Sequence, residues 1–68
     1  MTVISTYFKE EGSFRARAEV VKKINSYVID YYDQNDNHFH TESFDGKSLR
    51  YVEDAAENWA LGIKVLNG

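Results

Sequence analysis

The chain has 68 residues, no cysteine and a formal net charge of −3. This length allows one small domain, residues 1–68, with a marginal core, because so short a chain hides only about 60% of the surface that its unfolded form exposes. The composition excludes disulfides and thiolate zinc sites, and the negative charge argues against a general affinity for phosphate backbones.

The N-terminal segment "MTVISTYFKEEG" has no basic region followed by a long apolar run, so we expect no signal peptide. No apolar stretch approaches the roughly 20 residues of a membrane span. We therefore expect a cytoplasmic protein that does not contact a membrane.

The first half of the chain predicts two strands joined by a tight turn. Residues Thr2 to Phe8 are rich in β-branched and aromatic side chains, and Gly12 can take the positive φ of a turn. In the following segment "FRARAEV", apolar and charged residues alternate, which is typical of a half-buried strand. A helix over residues 14–24 is the competing interpretation, since "ARAEVVKKI" contains good helix formers; the unbroken alternation favours the strand.

The second half predicts two more strands and a helix. "NSYVIDYYD" alternates clearly, "QNDN" is a turn by composition, and "NHFHTESF" is the fourth strand, ending before Gly46. Ser48 is a candidate N-cap for a helix that ends near Gly62. The apolar stripe of this helix consists of Leu49, Val52, Ala56, Trp59, Ala60 and Ile63.

These elements predict an α+β fold, a four-stranded antiparallel β-meander with one C-terminal α-helix packed on one face. Turns centred on Glu11-Gly12, Lys22-Lys23 and Asn35-Asp36 would set the register. The expected pairs are Tyr7 with Ala16, Phe8 with Arg15, Ala16 with Ile29, Arg15 with Asp30, Tyr31 with His40, and Tyr32 with Phe39. The helix would then cover Val3, Tyr7, Phe14, Ala16, Ala18, Val20, Tyr27, Ile29, Tyr31 and Phe44.

The opposite face of this sheet is the predicted functional surface. It would carry Ile4, Phe8, Val21, Val28, Tyr32 and Phe39, mixed with Arg15, Arg17, Glu19 and Asp30. A solvated sheet face should be mostly polar, and one helix cannot cover both faces. Contiguous apolar surface usually marks an interaction site, although scattered surface aromatics would look the same in sequence. We therefore predict a homodimer interface formed by Ile4, Phe8, Val28, Tyr32 and Phe39.

The spacing His38, His40 and Glu42 raises the question of a metal site, because alternate residues of a regular strand share a face. Two imidazoles can hold zinc, but a site needs further ligands, and only Asp33 is a nearby candidate. An edge strand whose polar side chains prevent edge pairing explains the pattern better. We predict no metal and no other cofactor.

Catalysis has little support in the sequence. There is no cysteine nucleophile and no Gly-rich phosphate loop, and the "GKS" at Gly46 has Thr41 where a P-loop needs its first glycine. We therefore predict that the protein is not an enzyme. The main rival to the homodimer is a nucleic-acid-binding module, in which Arg15, Arg17, Tyr32 and Phe39 stack bases. Glu19 and Asp30 on the same face argue against it.

The segments "YYDQNDNHFHTESFDGKS" and "SLRYVEDAAENWALGI" resemble small uncharacterised proteins encoded by phages of marine cyanobacteria. The resemblance covers the C-terminal two-thirds of the chain, and "YVEDAAENWALGI" is its most specific part. It implies a protein made in an infected bacterial cell that acts by binding, with a host protein as the expected partner. It implies no catalytic residues.

Overall fold

Four strands and one helix follow one another along the chain. The computed structural model describes residues 2–66, apart from the side chains of Glu11 and Phe14. The strands are β1 (Thr2–Glu11), β2 (Phe14–Lys22), β3 (Ser26–Tyr32) and β4 (His38–Asp45), and the helix is α1 (Leu49–Ala60). The strands are antiparallel and pair in chain order. The predicted α+β meander with a C-terminal helix is confirmed, and the helical interpretation of residues 14–24 is wrong, because β2 occupies most of this range.

The predicted register is wrong for the first two hairpins, in both cases by an even number of residues. Tyr7 lies opposite Ala18, two residues beyond the expected Ala16, because the turn consists of Gly12 and Ser13. Tyr31 also lies opposite Ala18, a four-residue shift, because β2 continues to Lys22 and the turn follows later. Even shifts leave the described side chains of the regular stretches on their predicted faces, so the division into two faces survives there.

Two bulges, one in each outer strand, change the faces locally. In β1 the register shifts between Val3 and Ser5, and Val3 lies opposite Val21. Val3 is therefore on the face away from the helix, which corrects its predicted position. In β4 the shift adjoins Phe39, so that Tyr31 faces His40 as predicted but Tyr32 faces His38 instead of Phe39. An extra residue in one strand reverses the alternation on one side of it, which is the physical reason for both corrections.

The core lies between the helix and the two middle strands. It consists of Ala16, Ala18, Val20, Ile29, Tyr31, Val52, Ala56 and Trp59. The two alanines of β2 leave space for the helix to approach the sheet, and the Trp59 ring packs edge-on against Tyr31 with a centroid distance of 4.9 Å. The helix packs on β1, β2 and β3, and β4 has no fully buried side chain.

Both ends of the helix have specific caps. The Ser48 side chain accepts a hydrogen bond from the Tyr51 amide at 3.2 Å, as expected for an N-cap. At the other end Gly62 has φ 82° and its amide bonds the Trp59 carbonyl, while the Ile63 amide bonds the Asn58 carbonyl. This is a Schellman motif, in which the left-handed glycine ends the helix.

The segment after the helix returns towards β4. Lys64 forms an ion pair with Glu42 at 3.2 Å, and Leu66 packs against the core. Glu42 also accepts a hydrogen bond of 2.6 Å from the Tyr31 hydroxyl. Burial raises the pKa of Tyr31, and the bond to Glu42 raises it further. Within residues 2–66 no helix is long and apolar enough to cross a membrane.

Candidate interaction surface

The face of the sheet away from α1, called the open face below, is organised in rows that cross all four strands. Strand pairing brings together an aromatic row, an acidic row and an aliphatic row. The aromatic row is Phe8, Arg17, Tyr32 and His38; the acidic row is Thr6, Glu19, Asp30 and Thr41; the aliphatic row is Val3, Val21, Val28 and Ser43. Strand pairing therefore sorts the side chains of this face by chemical type, which the alternation in the sequence does not indicate.

The aromatic row is held by stacking and by charge. The Arg17 guanidinium lies 4.3 Å from the centre of the Tyr32 ring, and the Tyr32 ring contacts His38 edge-on at 5.4 Å. Arg17 donates to Glu19 at 3.0 Å and also bonds Asp36 in the β3–β4 connection. These bonds, the one to Glu19 first, raise the pKa of Arg17. The guanidinium thus stays charged and is anchored against Tyr32.

A small hydrogen-bond chain joins the aromatic row to the acidic row. His38 Nε2 lies 2.6 Å from Thr41 Oγ1, and that hydroxyl donates to Asp30 at 2.6 Å. Because the single hydroxyl proton is directed at Asp30, His38 Nε2 must be the donor to Thr41. The three side chains thus link the aromatic row to the acidic row through two hydrogen bonds on the surface of the sheet.

The bulge in β4 also separates the histidines considered as metal ligands. His38 lies opposite Tyr32 on the open face, whereas His40 lies opposite Tyr31 and its ring is 5.6 Å from that core residue. The two imidazoles therefore do not point into a common site. Among residues 2–66 no group of three His, Cys, Asp or Glu side chains could hold a metal ion.

The structure keeps some of the five predicted interface residues together and disperses others. Phe8 is on the open face and 59% exposed. Arg17 lies between Phe8 and the half-buried Tyr32 in the same row. Ile4, at the bulge of β1, is 38% exposed. Val28 is on the open face but only 4% exposed, so it is already covered within one chain.

Phe39 departs most from its predicted surroundings. It was expected beside Tyr32, but its ring lies 6.2 Å from Tyr31, which belongs to the helix-covered face. It remains 49% exposed at the outer edge of the sheet. The predicted contact centre of Val28, Tyr32 and Phe39 is therefore not a contiguous exposed patch. On and beside the open face, the exposed apolar side chains of Val3, Ile4 and Phe8 lie along β1.

His38 is the residue of the aromatic row that sequence reasoning placed elsewhere. A bulge has no sequence signal as clear as a glycine turn, and without it His38 would share the face of His40. Arg17 and Tyr32 were correctly placed on the open face. Comparison with known proteins adds nothing to this surface, since no family model, curated protein or solved structure matches the chain.

Proposed function

We propose that the protein is a non-enzymatic interaction module that forms a homodimer through its open face. The observation that carries the proposal is the exposed Phe8 beside the anchored pair of Arg17 and Tyr32, on a sheet face that the helix does not cover. Tyrosine and arginine are over-represented among the residues that dominate binding energies at protein interfaces. Because Arg17 and Tyr32 already stack on each other in the free chain, each side chain loses less conformational entropy when a complex forms.

A second copy of the chain is the simplest occupant of this face. A domain of 68 residues has a small core and gains stability from association. The open face holds both signs of charge, with Arg15 and Arg17 close to Glu10 and Glu19. In a two-fold contact the same patch meets itself, so cations of one copy can approach carboxylates of the other.

Phe8→Asp tests the homodimer directly. We expect the wild-type protein to dimerise in light scattering across a dilution series, and Phe8→Asp to weaken the dimer by about 30-fold or more, because truncated aromatic anchors often cost about 2 kcal/mol or more. Val65→Asp is the matched control, since Val65 is a 77% exposed aliphatic residue outside the open face. A wild-type protein that stays monomeric at high micromolar concentration contradicts the proposal.

A nucleic-acid-binding module is the second candidate, and the aromatic row is the observation that favours it. Aromatic rings flanked by a guanidinium can stack the bases of a single strand. The carboxylates of Glu19 and Asp36 already occupy Arg17, and Asp30 lies in the next row, which disfavours a polyanion. The fluorescence anisotropy of a labelled single-stranded oligonucleotide at low salt tests the nucleic-acid-binding function. Tight binding that Arg17→Gln abolishes supports this function.

The resemblance to proteins of marine cyanobacterial phages extends the first proposal to a host protein in the infected cell. Capture from a cyanobacterial lysate, with the wild type and Phe8→Asp side by side and with and without nuclease, tests this. Recovery of a defined protein that resists nuclease and is lost in Phe8→Asp supports a host partner at the open face. Recovery that nuclease removes supports nucleic acid instead.

A further inference from the structure

The connection between β2 and β3 carries an apolar residue that the fold does not use. Ile24 is 95% exposed at the apex of this connection, which is closed by a 2.9 Å hydrogen bond from the Lys23 amide to the Ser26 carbonyl. Turn positions normally hold Gly, Asn, Asp or Ser, whose backbone preferences or side-chain bonds form the turn. An isoleucine offers neither, and here it also packs against nothing, so turn geometry does not explain it.

Three lysines, Lys22, Lys23 and Lys47, surround this apex. Together with Ile24 and Asn25 they form a surface that we call the basic tip. Within residues 2–66 none of the three lysines takes part in an ion pair, whereas Arg15, Arg17 and Lys64 all do. Lys22 and Lys47 lie over the rings of Tyr27 and Tyr51 instead, 5.6 Å and 4.9 Å from the ring centres. These contacts leave the positive charges of the tip without a carboxylate to neutralise them.

The carboxylate nearest to the basic tip along the sheet does not neutralise it. Asp45 pairs with Ser26 through the backbone, and no ion pair joins it to any of the three lysines within the described residues. The opposite end of the sheet has Glu10, Asp33 and Asp36 at its connections. Arg15 and Arg17 lie at that end too and pair with Glu10 and Asp36, whereas the lysines of the basic tip have no carboxylate partner within residues 2–66.

The basic tip stands between two grooves. One, of about 670 Å³, is lined by Thr2, Lys22, Lys23, Ile24 and Asn25. The other, of about 250 Å³, is lined by the same hairpin residues together with Ser26, Tyr27, Gly46 and Lys47. Both grooves are open to solvent, and Lys22, Lys23 and Ile24 line both of them. A chain lying in either groove would contact Ile24, Lys22 and Lys23 at the same time, and in the second groove it would also contact Lys47.

We propose that the basic tip binds an acidic polypeptide segment, with an apolar side chain of that segment against Ile24 and its carboxylates on the lysines. An apolar apex is not needed for a phosphate backbone, and a flat membrane would leave the grooves on either side unfilled. This surface is separate from the open face, since the lysines and Ile24 lie at the end of the sheet. The inference therefore does not depend on the homodimer.

The test uses the full chain and four probes: two peptides, lipid vesicles and an oligo-dT. A rhodamine-labelled 12-residue peptide of alternating Glu and Leu is titrated by anisotropy, with its Gln and Leu counterpart as the uncharged control. We expect the acidic peptide to bind and 0.5 M NaCl to weaken it strongly. Lys22→Gln combined with Lys23→Gln should weaken binding about fivefold to tenfold, and Ile24→Asn about tenfold.

Two variants serve as matched controls: Arg15→Gln removes a cation at the opposite end, and Val65→Asn changes another exposed aliphatic residue. Both should change the affinity less than about twofold. The inference is overturned if the two peptides bind equally, if neither binds at millimolar concentration, or if Ile24→Asn has no effect. It is also overturned if only vesicles of phosphatidylcholine with phosphatidylserine, or only an oligo-dT, bind at the tip.

Discussion

The hydrogen bond between the Tyr31 hydroxyl and Glu42 gives the sharpest test of the packing. Tyr31→Phe removes one oxygen and leaves the ring in place against Trp59. A hydrogen bond to a charged acceptor contributes about 1.5–3 kcal/mol. Glu42 is 24% exposed and keeps its ion pair with Lys64 in the variant, so the loss should fall at the lower end, about 1.5 kcal/mol. For a domain of this size that corresponds to a fall in Tm of about 6–12 °C.

Thermal and urea unfolding at one fixed protein concentration measure this loss, since association would otherwise change the apparent stability. Tyr51→Phe is the control, because Tyr51 is half exposed on the helix and its hydroxyl makes no hydrogen bond within residues 2–66. A double-mutant cycle with Glu42→Ala, which removes the acceptor oxygen, isolates the pairwise energy. A loss below about 0.5 kcal/mol, or a coupling energy near zero, would refute the reasoning.

The same bond has a pH dependence of known sign. Burial raises the pKa of Tyr31 above its ordinary value near 10, so the folded chain keeps the protonated hydroxyl. The stabilisation is therefore fully present below about pH 10 and is lost as the pH rises further. The difference between wild type and Tyr31→Phe should stay constant from pH 6 to about 10 and then shrink.

Three further predictions concern the caps and a loop. Ser48→Ala should destabilise the protein by about 1 kcal/mol in urea unfolding, because the Tyr51 amide loses its acceptor, and Ser48→Asp should restore most of this. Gly62→Ala should also cost about 1 kcal/mol, since φ is 82° there, and an unchanged midpoint would contradict the Schellman assignment. Backbone amides of the β3–β4 connection, that of Asn37 first, lower the pKa of Asp33. The Asp33 carboxylate therefore stabilises the fold above about pH 4, and this stabilisation is lost on further acidification. In NMR, the carboxyl carbon of Asp33 should titrate below the ordinary value of about 3.9.

The sequence predicts the two faces of this sheet better than it predicts the pairs. Alternation in "FRARAEV" and "SYVIDYY" predicts the face of each side chain. For the described side chains this prediction is confirmed, because both errors in the register were even. In the second hairpin the length of the turn could not be predicted, because the β2–β3 apex holds Ile24 and Asn25 and has no glycine to mark it. The sequence does not predict the basic tip for the same reason, since Lys22 and Lys23 are assigned to the turn itself.

The bulges explain why the predicted site changed more than the fold. An extra residue at Ile4 or Phe39 leaves no compositional mark, yet it moves Val3 and His38 to the open face. The sequence also does not predict that Val28 is buried, because its exposure depends on how neighbouring side chains cover it across the sheet. The residues correctly placed, Phe8, Arg17 and Tyr32, all lie in regular stretches away from both bulges.

The limited burial of β4 has a consequence for how the protein opens. No side chain of this strand is fully buried, and the helix packs mainly on the other three strands, with Tyr51 against Phe44 as its contact to β4. Regions with few buried apolar contacts open at lower free energy than the rest of a domain. We expect the amides of β4 to exchange with deuterium well before those of β2 and β3, and their protection to fall further in Tyr31→Phe. The fourth strand would then behave as a separate unit that detaches while the three-stranded layer beneath the helix stays folded.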